Sequence, residues 1–161
     1  MTQVVSSNPG VIDQFSSQVD GVWIHSWLSN GYIEPDGSFV EREYQAARAA
    51  DRDAALAILT CANPFGPGGS KRLGHRAKQR PDWERVKYQV MMRCVLQKFV
   101  EHDELAARLL DTGDMLIIEG NSWHDNTWGD CRCGRPECAG TGRNWLGHIL
   151  MGVREALRLA I

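Results

Sequence analysis

Pro35-Asp36-Gly37-Ser38-Phe39-Val40-Glu41-Arg42-Glu43-Tyr44-Gln45-Ala46-Ala47-Arg48 moves from a turn, through apolar residues, into an alanine-rich run. Proline presets its own dihedral and glycine accepts positive φ, so residues 35–37 predict a reversal. Tyr32 and Ile33 before it, and Ser38, Phe39 and Val40 after it, read as the two arms of a hairpin. From Glu41 the alanines, good helix formers, predict a helix running to about Leu59. A strand-to-helix switch this early in the chain points to an α+β fold.

The neighbouring segments extend that reading. Upstream, Val22-Trp23-Ile24 reads as a further short strand, and residues 1–18 as a polar, loosely held lead-in to a domain spanning 19–161. Downstream, residues 63–69 hold two prolines and three glycines and predict a loop. Pro81 suits a helix first turn, and Trp83, Val86, Val90, Cys94 and Phe99 then recur near helical spacing. Asp103 is a candidate N-cap for a short helix carrying Leu105, Leu109 and Leu110, closed near Gly113. Met115-Leu116-Ile117-Ile118 has strand length. Asn144 is a candidate cap for a last helix with an apolar stripe of Leu146, Ile149, Leu150, Val153, Leu157 and Ala160. The expected architecture is one predominantly helical α+β domain with a small β-sheet.

At 161 residues, 43% hydrophobic and 24% charged, the chain has an ordinary globular composition. A net charge of −2 supplies no general attraction to DNA or to an anionic membrane. One local exception is residues 66–80, which carry Lys71, Arg72, Arg76, Lys78 and Arg80 and no acid. The first residues lack the basic start and apolar run of a signal peptide, and no stretch reaches membrane-spanning length. Five cysteines without an export signal do not suggest a disulfide framework. A cytoplasmic protein with no membrane partner is expected.

Four regions can carry chemistry. Glu41, Tyr44, Gln45 and Arg48 share one helix face, and the macrodipole favours a charged carboxylate at Glu41; a solvated surface face is the simpler reading of the same pattern. The loop Gly66-Pro67-Gly68-Gly69-Ser70-Lys71-Arg72 offers backbone N–H groups and two cations to a phosphate, without P-loop spacing. Glu119-Gly120-Asn121-Ser122-Trp123-His124-Asp125-Asn126-Thr127-Trp128-Gly129-Asp130 packs polar groups between two tryptophans, which suits a stacked ring beside an ionic group, or else two core lids. Cys131, Cys133 and Cys138, with His124 and His148 nearby, match the donor types of a structural zinc but lack the usual pair of knuckles. Free thiols in an adaptable loop are the preferred reading there. Cys61 and Cys94 stand in apolar contexts and read as small core residues.

In order along the chain, these segments resemble the NADAR (YbiA-like) family. Ser29-Asn30 matches its early Ser-Asn pair, and Phe39 to Arg48 resembles its aromatic–small–Glu-His…Tyr-Gln-Ala-x-Lys pattern. Ser70-Lys71-Arg72-Leu73-Gly74-His75 resembles its Lys-x-Leu-Gly-Arg segment. Pro81-Asp82-Trp83, Lys87, Met91 and Lys98-Phe99 follow its central helix. Trp123 to Gly129, then Gly142-Arg143-Asn144-Trp145-Leu146-Gly147 with Leu150-Met151-x-Val153-Arg154, match its C-terminal motifs. The likeness runs from about Trp27 to Arg158, with Arg42 in place of a histidine, His75 in place of an arginine, and the cysteine loop as added length.

The resemblance implies hydrolysis of an N-glycosidic bond, with Glu41, Lys71 and Asp125 as the reactive centre. Trp83 and Trp128 would flank the ligand, Asn30 and Asn144 would fix its polar edges, and Tyr44, Arg72 and Gly129 are assigned to substrate binding. Glu41 would stabilise the cationic sugar and Asp125 would position water, or the reverse. Lys71 would act covalently as a Schiff-base nucleophile, in preference to acting through its charge. No cofactor is expected for catalysis. The leading substrate is ADP-ribose carried on guanine, in a nucleotide or in DNA; the alternatives are phosphoribosylamino-pyrimidine intermediates of riboflavin synthesis and a non-catalytic ADP-ribose or nucleotide reader. A small zinc-stabilised interaction module would rest on the cysteine loop alone.

Overall fold

The structure, a computed structural model, describes residues 10–15, 18–19 and 22–160. Along the chain the strands are β1 (Val11–Ile12), β2 (Gln18–Val19), β3 (Val22–Trp23), β4 (Leu116–Ile117), β5 (Gly120–Asn121) and β6 (Asp130–Cys131). The helices are α1 (Val40–Arg48), α2 (Arg52–Leu59), α3 (Ser70–Arg76), α4 (Trp83–Glu101), α5 (Asp103–Asp111) and α6 (Trp145–Leu159), with a 3-10 turn at Ser26–Leu28. The predominantly helical α+β reading holds. Among the described residues its β content takes the form of three two-stranded ladders, β1–β4 parallel, β2–β3 antiparallel and β5–β6 parallel.

The chain divides into two compact units. One is Asn30–His102, and the other comprises the described residues before Asn30 with those from Asp103 onward. In the Asn30–His102 unit, α1 packs against α2, α3 and α4, and Phe39, Phe99, Met91, Val95 and Ile58 are all but fully buried. In the other unit α6 packs against α5 and β4, burying Leu146, Ile149, Leu150 and Val153 with Leu109 and Ile117. The stripe expected on the last helix is therefore its core face; Leu157 is only partly covered and Ala160 is exposed at the C-cap.

Several local expectations change. The reversal at residues 35–37 forms, with Gly37 N–H donating to Glu34 O and Glu34 N–H to Ser38 O. The expected arms do not: residues 31–34 and 38–39 have no strand partner, and Val40 already belongs to α1. The single helix expected over 41–59 is two. Ala49 is extended, and Asp51 caps α2 by accepting from Ala54 N–H at 2.9 Å. Nothing in an alanine-rich run announces that break except the capping aspartate. The break is held by long-range bonds, Ala50 N–H to Lys78 O and Arg80 N–H to Arg48 O.

Of the lead-in expected over 1–18, residues 1–9 and 16–17 lie outside the described residues. Its described part is not loose: Val11 and Ile12 pair with Leu116 and Ile117, and Ile12 and Phe15 are buried. The four-residue strand expected at 115–118 shortens to Leu116–Ile117. No helix among the described residues is long and apolar enough to cross a membrane.

Candidate active site

The polar face of α1 is not solvated. Glu41, Tyr44 and Gln45 are buried, at 7%, 6% and 3% exposure. Buried polar groups seek partners, and α1 supplies several at close range, though Gln45 Oε1 has none. Gln45 Nε2 donates to Glu41 Oε1 at 2.9 Å, one helical turn away. The backbone N–H of Glu41 donates to Asn30 O at 2.8 Å, which fixes the start of the helix. Asn30 in turn sets its Nδ2 3.4 Å from Met91 Sδ on α4. The Tyr44 ring lies 4.9 Å from that of Trp83, tilted by 56°. The structure thus brings together Asn30, Glu41, Tyr44 and Trp83, four of the expected site residues. Trp83 is 3% exposed, so its ring is a wall behind Tyr44 and offers little open face.

Gln45, read from the sequence as sharing the face of Glu41 but given no role there, also decides how α3 docks. Its side chain lies so close to Gly74 that a Cβ there would overlap it. Arg48 completes the joint, donating to Gly74 O at 2.5 Å and to Gln79 Oε1 at 3.1 Å. The glycine of Lys-Arg-Leu-Gly is needed for this approach.

Lys71 and Arg72 lie on α3, which begins within the stretch expected as loop. Three of the backbone N–H groups expected to cradle phosphate are already engaged, Gly69 with Gly66 O, Ser70 with Asn63 O and Lys71 with Pro64 O. What remains is a cationic surface. Lys71, Arg72, His75 and Arg76, with Phe65, Gly66 and Pro67, line an open depression of about 510 Å³. Lys71 Nζ stands 5.8 Å over the Phe65 ring, and that ring presses on Gly31, next to Asn30. His75 has its pKa lowered by partial burial, then by the charges of Arg48 and Lys71. It is therefore neutral at pH 7, and the three other cations carry the attraction for an anion.

In the second unit the chain between β5 and α6 forms a tight polar knot. Asp125 Oδ1 accepts from the N–H groups of Thr127 at 3.0 Å and Trp128 at 2.9 Å. Asn121, within the region read from the sequence but given no role there, holds the Asp125 backbone from both sides, donating to its O at 2.7 Å and accepting from its N–H at 3.2 Å. Gly129 sits where a Cβ would strike Glu119. Trp128 meets Trp145 edge to face at 5.5 Å, whereas Trp123 is 55% exposed and is no core lid.

Asn144 does not cap α6 through its side chain, contrary to expectation. It has positive φ (49°), and its amide crosses to the strand region, donating to Ile117 O and accepting from Glu119 N–H. Asp125, Trp128, Gly129 and Asn144 thus belong to one bonded assembly, since Gly129 O accepts from Asn144 N–H and Trp128 O from Leu146 N–H. Cys94 is buried as expected. Cys61 is not a core residue; its thiol faces the carbonyls of Asn63 and Gly68 at 3.2 and 3.0 Å.

Residues 16–158 match the family pattern described as the NADAR domain. The chain is 40% identical over 122 residues to an N-glycosidase of Nostoc punctiforme, covering 74% of this chain and 73% of that protein. It is 35% identical over 121 residues to N-glycosidase YbiA of Escherichia coli. The NMR structure of E. coli YbiA aligns with a TM-score of 0.71 at 28% identity, over 94% of this chain and 90% of that one. A riboflavin biosynthesis protein of Vibrio vulnificus is 44% identical over 80 residues, which is 50% of this chain and 20% of that protein.

Proposed function

This chain belongs to the NADAR family, and from that premise we propose that it is a hydrolase acting on a ribosyl N-glycosidic bond. The observation that carries the proposal is Glu41, a buried carboxylate in the first turn of α1 with one oxygen held by Gln45. Breaking a ribosyl C–N bond builds positive charge on the anomeric carbon, through an oxocarbenium-like state. A carboxylate already fixed in place stabilises that charge without reorganising. The bond breaks with its electron pair passing to the departing nitrogen, which takes up a proton. Water adds to the anomeric carbon and gives up a proton in turn.

Asp125 is assigned the water. One of its oxygens is tied to two backbone N–H groups, which fixes the carboxylate and leaves the second oxygen for the assigned role. Lys71, Arg72 and Arg76 are assigned to anionic phosphate, which their shared depression suits. For Lys71 this replaces the covalent role implied by the resemblance, because an exposed lysine among other cations is placed to hold an anion. Trp128 is assigned to the ring of the substrate, and Asn144, whose amide is bonded to the Ile117 and Glu119 backbone, to holding that region in place.

The favoured substrate is guanine carrying ADP-ribose. An acid-free run of cations offers more than one point of attachment, as a diphosphate requires. A second reading is a phosphoribosylamino-pyrimidine, with a single phosphate, supported by the likeness to a riboflavin biosynthesis protein. Purified protein incubated with ADP-ribosylated guanosine should release ADP-ribose, detected by mass spectrometry, and Glu41→Gln should lower the rate by about 10²–10³-fold. Turnover of the pyrimidine intermediate alone would select the second reading. Turnover of neither would leave a binding protein and overturn the proposal.

A further inference from the structure

The cysteine loop, unused by the reaction above, converges on a point. His124 Nδ1 lies 3.4 Å from Cys138 Sγ, 3.5 Å from Cys133 Sγ and 3.9 Å from Cys131 Sγ. All four donor atoms lie within 4.8 Å of one another. Tetrahedral zinc, with bonds of about 2.3 Å to sulfur and 2.0–2.1 Å to nitrogen, demands N···S separations of about 3.5 Å. The observed distances straddle that value. His148, the other histidine near the cysteines in sequence, is exposed on α6 and is not in the group.

Hydrogen bonds hold the first half of this segment, while its cysteine-bearing half has little apolar cohesion of its own. Between β5 and α6 the chain runs through residues 122–144 with only the two-residue β6 as regular structure. Arg132 and residues 134–137 and 139–141 are exposed, while Cys131 and Cys138 are buried at 5% and 7%. Two of the three thiols thus occupy the inside of the loop, with Cys133 half-buried beside them. Irregular segments of this length in a compact protein are uncommon without some restraint, and a metal commonly supplies it in small cores. His124 adopts φ of 67°, rare for a residue with a side chain, and so turns its ring toward the sulfurs.

We propose that His124, Cys131, Cys133 and Cys138 form a tetrahedral zinc site. With three thiolates and one neutral imidazole the set is complete and leaves no position open for water, so the metal is structural. Binding displaces the three thiol protons to solvent. The site is next to the proposed chemistry in sequence, because His124 precedes Asp125, and zinc would anchor the turn that presents that carboxylate.

The test uses full-length protein, purified under reducing conditions without a metal-affinity step. Elemental analysis should find one zinc per chain, lost to background in Cys133→Ser and retained in Cys61→Ser. Cobalt added to zinc-depleted protein should give thiolate-to-metal charge transfer and the intense visible bands of a tetrahedral site. Mercurial titration should release the zinc with three thiols consumed per metal. The cobalt and thiol measurements need only the wild-type chain, so they decide the question even if Cys133→Ser fails to fold. Protein free of zinc, taking up neither zinc nor cobalt when reduced and leaving these thiols freely reactive, would overturn the site. None of these readouts depends on the proposed hydrolysis.

Discussion

Lys71 concentrates the choice between two chemistries in one side chain. A Schiff base needs a primary amine that attacks an aldehyde, and a guanidinium cannot do this. Holding a phosphate needs only a positive charge in reach, and arginine supplies that. Lys71→Arg is therefore expected to keep kcat within about tenfold of wild type on the proposed reading, with the change falling mainly in KM. Complete loss, together with covalent trapping of the wild-type enzyme by borohydride in the presence of substrate, would restore the covalent role. Glu41 and Asp125 could be picked out by residue type and motif. Gln45 and Asn121, which hold them in place, could not be ranked above other amides until the partners were visible.

Elements show where local rules were sufficient and where they were not. The stripe on α6 is periodic over many residues and buries largely as read; α4 also forms, but Val86 and Val90 are half-buried and its covered side includes Met91, Val95 and Lys98 instead. The run from Glu41 to Leu59 is equally helical by propensity, yet it breaks at residues 49–51. The break lets Ala49 pair with Gln79 and lets Asp51 start a new helix. If that cap secures α2, Asp51→Ala should lower stability by about 1 kcal/mol, read as a shift of the urea midpoint at unchanged slope. No shift would mean that tertiary contacts alone hold the second helix. The short arms flanking residues 35–37 failed for the opposite reason. Two or three residues of strand propensity carry no weight without a partner, and the chain was drawn into α1 and its contacts.

Across the whole molecule, stability should depend on pH through Lys98. Its amine is 2% exposed, on α4 with the rings of Tyr32 and Phe99 around it. Burial pushes its pKa down to about 8, against the opposing pull of Glu34. In the unfolded chain the group keeps its proton up to the ordinary value of 10.5. Between those values the unfolded state binds the extra proton, so unfolding free energy from this group rises with pH, by at most about 1.4 kcal/mol per pH unit. Below that window both states are charged and burial carries its full cost. Urea melts from about pH 7 to 10 should show this rise in wild type relative to Lys98→Met. Parallel curves for the two proteins would refute it.

The sequence by itself determined the fold class, the family and the identity of the candidate groups, because these rest on long periodic helices and on motifs in fixed order. It could not determine what depends on distant segments meeting. The inward turn of the α1 face, the engagement of the loop N–H groups and the crossing of Asn144 to the strands all arise from such contacts. The cysteine loop shows the difference most clearly. Its spacing lacks paired knuckles, so the linear pattern favours free thiols. Metal coordination, however, is set by distances in space, and only the folded loop carries His124 to within 3.4–3.9 Å of three sulfurs.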